Sequence, residues 1–106
     1  MLKIIISLDF SDTPGGRYRS EGKFSGQEFR EDVLKPMYLK ALEQGEKLHL
    51  DMDGCYGYPS SFIDESFGGL SRELNDVNIL DNIIIKCDEQ PSILDEIKEC
   101  INKQRR

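Results

Sequence analysis

The chain has no tryptophan, one histidine, three cysteines and no apolar run approaching the roughly 20 residues of a membrane span. Each shortage removes a class of function. Ile4, Ile5 and Ile6 form the longest apolar run near the start, shorter than the roughly 7–15 residues of a signal-peptide core, and no small-residue cleavage pattern follows them. The protein is therefore expected to stay in the cytoplasm. Cys55, Cys87 and Cys100 are odd in number and lack a C-x-x-C spacing, and His49 lies near none of them in sequence. Neither a zinc site nor a disulfide framework is expected, and the cysteines read as reduced thiols used as small hydrophobes. The glycines form neither a G-x-G-x-x-G pattern nor a phosphate-binding loop, so no cofactor is expected. An isolated histidine also gives no base for a nucleophilic triad.

Positive charge is scarce too: 14 Lys and Arg against 20 Asp and Glu leave a net charge of −6. Nucleic acid and membranes present phosphate, which is held by clustered cations, so neither is expected as a partner. The basic cluster from Lys103 to Arg106 reads as a solvated chain end.

With 38% hydrophobic and 32% charged residues, the 106 residues fit one globular domain spanning 1–106, with 101–106 as a frayed tail. Leu2 to Leu8 alternate, Leu2, Ile4, Ile6 and Leu8 on one side, and Lys47 to Asp53 and Asn82 to Cys87 repeat the pattern. These strands keep a polar or mixed side, so the sheet is expected to be covered on one face only. Ser25 and Glu28 have the spacing of a capping box, with Phe24 and Phe29 placed as a hydrophobic staple. The helix they open carries Phe29, Val33, Met37 and Ala41 and ends near Gly45. Pro36 either bends it or divides it at Lys35. Ile63, Phe67, Leu70, Leu74 and Val77 keep helical spacing through Gly68 and Gly69, which predicts one continuous helix. The last helix starts near Pro91 or Ser92 with Ile93, Ile97, Cys100 and Ile101 inward. Asp9 to Gly22 reads as a loop with room for a short strand at Arg17 to Arg19. Strand, loop, helix, strand, helix, strand, helix is the order of a two-layer α/β sandwich with a mostly parallel sheet.

Two stretches could carry chemistry. Asp51 and Asp53 share a side at the end of a strand, where such a pair can hold magnesium or accept a phosphoryl group. A small phosphoryl-transfer enzyme is the alternative they support, against a plain strand-ending turn. Ser60 and Ser61 open the next helix, and Ser61 with Asp64 has the spacing of a second capping box, so one serine is expected to cap it. A phosphate on either would be tolerated at a helix start, and its added charge could repel a partner.

The string PSSFIDESFGGLSRE after LHLDMDG, preceded by GGRYRSEGKFSGQEFREDVLKP, resembles the STAS-like domain of unknown function, STAS standing for sulphate transporter and anti-sigma-factor antagonist. The resemblance runs from about Gly15 to Glu73. It implies a mixed sheet with helices mainly on one side. It also implies bacterial signalling through a histidine-kinase-type ATPase partner. In antagonist-type STAS proteins a serine at this helix start is phosphorylated and binding is switched off, a role that falls by position on Ser60 or Ser61. Those proteins place Asp before the serine, where this chain has Pro59. A non-enzymatic module is then expected to meet its partner through the loop 54–59 and the helix after it, using Asp53, Tyr56, Tyr58, Ser61, Glu65, Gly68 and Arg72. On a continuous helix Ser61, Glu65, Gly68 and Arg72 would form an outward stripe, with Gly68 admitting a partner's backbone.

Overall fold

The computed structural model describes residues 2–105. Strands β1 (Leu2–Ile5), β2 (Leu48–Asp51) and β3 (Ile83–Lys86) form a sheet in the order β1-β2-β3, and all pairs are parallel. Leu2 pairs with Leu48 and Leu48 with Ile83, so Ile4, Leu50 and Ile85 share one face. That face joins the core, while Lys3, His49 and Lys86 stay at the surface and Ile84 is 45% exposed. The one-sided sheet expected from the strands is what forms. Both crossovers, β1 to β2 and β2 to β3, are helical, as parallel neighbours require.

β1 is shorter than its alternation predicts. Asp9 accepts the Ile5 N–H at 2.7 Å, and the carbonyl of Ile6 takes the N–H groups of Phe10 and Ser11. The chain therefore turns through Ile6–Asp9, and Leu8 ends 79% exposed instead of on the apolar face. The expected strand at Arg17 to Arg19 is also replaced. Glu21 accepts the N–H groups of both Arg17 and Tyr18 at 2.8 Å, closing a 3-10 turn over Arg19–Glu21.

Helix α1 runs over 26–44 as Gly26–Phe29, a π-helical stretch Arg30–Leu34 and Lys35–Gln44. Ser25 caps it through the Glu28 N–H at 3.0 Å, and Glu28 reaches back to the Phe24 N–H at 3.1 Å. Phe10 sits between the two staple residues, 5.6 Å from the Phe24 ring and 5.1 Å from Phe29. Carbonyls of Gly16 and Arg17 accept the Gly26 and Gln27 N–H groups, which a helix start leaves unpaired. The helix passes Pro36 by widening just before it, with the Lys35 N–H bonded to the Arg30 carbonyl five residues back. This relieves the crowding of the proline ring against the carbonyl four residues earlier.

Helix α2 runs over 60–74 as Ser60–Ile63, a π-helical stretch Asp64–Gly68 and Gly69–Leu74. It is continuous through the glycine pair and ends at Asn75 in the left-handed region, φ 51°. Helix α3 (Ser92–Asn102) buries Ile93, Ile97, Cys100 and Ile101 as expected. Ile101, in the segment expected to fray, is 2% exposed, and a 3-10 turn continues over Lys103–Arg105; Arg106 lies outside the described residues.

Where α1 and α2 cross, bare backbone is required. A Cβ on Gly26 would lie 2.7 Å from the Phe62 carbonyl oxygen, and one on Gly69 would lie 2.4 Å from Nη1 of the buried Arg30. Alanine in a helix interior ordinarily gains about 0.5–1 kcal/mol over glycine. Here Gly26→Ala and Gly69→Ala are expected to lose about 1–3 kcal/mol each, as overpacked cores do. Urea denaturation of the two variants checks this, and a gain in either would remove the close-approach explanation at that position.

Candidate functional site

At the C-terminal ends of the strands, backbone groups left over from the ladder are taken up by carboxylates. Asp51 Oδ1 accepts the Asp53 N–H at 2.9 Å, and Asp53 Oδ1 accepts the Glu89 N–H at 3.0 Å. Glu89 returns to the Gly54 N–H at 2.6 Å, and Lys86 Nζ lies 3.6 Å from Asp53. The aspartate pair is thus a turn that ties β2 to the segment after β3. Among the described residues no group of three or more His, Cys, Asp or Glu side chains is arranged to hold a metal.

The loop 54–59 stands on this turn. Tyr58 donates its hydroxyl to the Met52 carbonyl at 2.7 Å, lies 3.0 Å from Cys55 Sγ, and packs its ring, tilted by 42°, 5.9 Å from that of Phe62. Burial first, then the neighbouring Cys55, push this hydroxyl far above the ordinary tyrosine range. Burial likewise pushes up the thiols of Cys55, Cys87 and Cys100, which keeps all three protonated at neutral pH. Cys55 Sγ–H donates to the Ser11 carbonyl and the Tyr56 N–H to that of Asp12, so residues 11–14 clamp the loop from the side. Tyr58 is fixed from below, whereas the Tyr56 side chain is 87% exposed.

Neither serine caps α2. Pro59 is the capping residue, and its carbonyl accepts the Phe62 and Ile63 N–H groups at 3.0 and 3.2 Å. Asp64 does not reach back to Ser61 but accepts from Arg17 Nη1 at 2.5 Å. The expected cap is therefore corrected, and both hydroxyls are released from that duty: Ser60 is exposed and Ser61 half-buried. Ser60 opens on a cleft of about 520 Å³ walled by Arg17, Asp64, Arg72, Glu99 and Lys103.

The outward stripe is corrected as well. Glu65 is 7% exposed because it is the acceptor for Arg30, whose Nη1 donates to its carboxylate at 2.5 Å and to its carbonyl at 2.7 Å. Arg17 and Arg72 each stand 3.7 Å from its other oxygen. Gly68 is buried beneath side chains of Asp64, Arg72 and Gln104, so no partner backbone reaches it. Of the stripe, Ser61 and Arg72 remain at the surface. Arg30, Arg17, Lys35 and Glu73 complete a charged network that the spacing of α2 alone does not reveal. Glu73 pairs with Lys35 and lies 3.3 Å from Arg30 Nε. The hydrogen bond from Lys35 first, then the two positive charges, hold its carboxyl below the usual range.

No described helix is long and apolar enough to cross a membrane. No curated protein and no solved structure matches the chain. Residues 25–93 match the STAS-like domain of unknown function, beginning later and reaching further than the motifs that carry the resemblance. That span takes in β2, the loop 54–59, α2 and β3, and the chain belongs to that family.

Proposed function

We propose that this protein is a non-enzymatic regulatory module that docks on a partner protein, a histidine-kinase-type ATPase, through the loop 54–59 and the first turn of α2. The observation that carries this reading is the rigidly held loop that offers an 87% exposed Tyr56 directly ahead of the surface hydroxyl of Ser60. A surface aromatic on a fixed frame is a suitable interface anchor, since little conformational freedom is lost when it is covered. Phosphorylation of Ser60 or Ser61 would add about −1.5 to −2 charges beside Asp64, Glu96 and Glu99, and a partner covering the helix start would be released. Bacterial signalling is the setting that the family resemblance supports.

The test uses the full chain with the histidine-kinase-type ATPases of its own organism and labelled ATP. Phosphate is expected on Ser60 or Ser61 by mass spectrometry, and Ser60→Asp with Ser61→Asp is expected to weaken binding about tenfold or more, equivalent to about 1.4 kcal/mol. Failure of all of them to bind the chain and to modify either serine would overturn the reading.

A further inference from the structure

Beyond the loop itself, the turn after β1 also presents an apolar side chain. Ser7 fills the space a Cβ on Gly54 would need, 2.8 Å away, which sets the neighbouring Leu8, 79% exposed, on the same end of the molecule as Tyr56. A groove of about 410 Å³ runs along Thr13, Pro14, Tyr56, Gly57, Tyr58 and Pro59. Isolated exposed leucines are ordinary, but here an exposed tyrosine lines a groove with two prolines and a second tyrosine, and an exposed leucine stands at the same C-terminal end of the strands. Charge surrounds it. Asp9, Asp12, Asp88 and Glu89 are all exposed at this end, and half-buried Asp51 and Asp53 lie just behind them. The chain of hydrogen bonds from Asp51 through Asp53 and Glu89 to the Gly54 N–H, with the Asp12 carbonyl holding the Tyr56 N–H, sets these acidic residues at the base of the loop, and Asp88 adjoins Glu89. Lys86, against Asp53, is the cation among them.

We infer that the Leu8–Tyr56 surface docks a basic, apolar-anchored segment of a partner protein: one large apolar side chain seated in the groove, with lysines or arginines beside it facing the aspartates. This rests on the reading that the loop 54–59 is the docking face and adds the chemistry of what docks there. Charge decides the occupant. Acidic segments and anionic membranes are repelled by the rim, whereas a basic segment gains from it in encounter rate and in orientation. The apolar anchor makes the contact survive salt, which screens exposed charges more than about 10 Å apart at 0.1 M.

The experiment is a titration of the isotope-labelled full chain with a helical peptide of leucine and lysine, followed by backbone amide shifts, beside a matched peptide of leucine and glutamate. The leucine–lysine peptide is expected to move the amides of Leu8, Thr13, Tyr56 and Gly57, and the glutamate peptide to leave them in place. Leu8→Ser with Tyr56→Ser is expected to weaken binding about tenfold or more, and so is Asp12→Lys with Asp88→Lys. Glu43→Lys with Asp81→Lys, at the opposite end of the strands, is expected to change it less than twofold. Equal losses from the two charge-reversed pairs would mean diffuse attraction to an acidic protein and would overturn the proposal. A chain dimer dissolved by Tyr56→Ser in sedimentation would instead assign the surface to a second copy, and would overturn it too. Neither ATPase nor nucleotide enters this titration, so its failure leaves phosphate transfer to Ser60 or Ser61 to be judged separately.

Discussion

Replacing Glu65 with alanine is expected to remove about 3–5 kcal/mol of unfolding free energy, the loss typical when one partner of a buried ion pair is deleted. Arg30 is 9% exposed, and two of its hydrogen bonds go to Glu65, one to the carboxylate and one to the backbone carbonyl. Without the carboxylate, the guanidinium would keep a backbone acceptor and Glu73, which stands 3.3 Å from Nε and is itself engaged by Lys35. That leaves a desolvated charge poorly matched. Domains of this size are stable by about 5–15 kcal/mol, so the variant should be partly unfolded at modest urea concentration. The double replacement Arg30→Met with Glu65→Leu removes both charges and keeps volume, so its cost should fall well below the sum of the single ones. Urea midpoints with an unchanged slope would establish the comparison. A Glu65→Ala cost under about 1 kcal/mol would show that Arg30 finds water or another acceptor, and the pair would then no longer explain why Gly69 is bare.

Much of the frame was legible because it follows from local period. Alternation at Leu48, Leu50 and Met52 and helical spacing at Ile93, Ile97 and Cys100 report burial whatever the rest of the chain does. The Ser25 cap was legible for the same reason, since both of its partners lie within four residues. Features set by distant residues were not. Glu65 occupies a position on α2 that looks solvent-facing until Arg30, 35 residues earlier, is placed beneath it. Gly68 is covered by Gln104 from the far end of the chain, and Asp64 is drawn to Arg17 instead of Ser61. β1 stopped early because Asp9, a local residue but an unusual acceptor, capped a strand N–H and let the chain turn. A glycine pair inside an otherwise regular helix was the one signal that something large crosses there. Nothing in the sequence specified that the crossing group would be this protein's own arginine.

The second large effect is expected at Phe62, the residue that joins the core to the docking loop. Its side chain is fully buried, with ring centroids 5.7 Å from Phe29, 6.2 Å from Phe10 and 5.9 Å from Tyr58. Phe62→Ala should cost about 3–5 kcal/mol through lost burial and the cavity left behind. Phe62→Leu, which keeps more of the volume, should cost clearly less. The two variants also separate stability from loop order. Tyr58 is held by its hydroxyl at the Met52 carbonyl and Cys55 and by the Phe62 ring, so losing the ring leaves only the contacts of the hydroxyl. Hydrogen exchange is therefore expected to quicken at residues 55–58 in Phe62→Ala more than in β2, and to change little there in Phe62→Leu. Uniform quickening across loop and sheet would mean that the loop opens only with the whole domain. Selective quickening would mean that Phe62 sets how rigidly Tyr56 is presented, and binding through Tyr56 should then weaken even where most of the molecules remain folded.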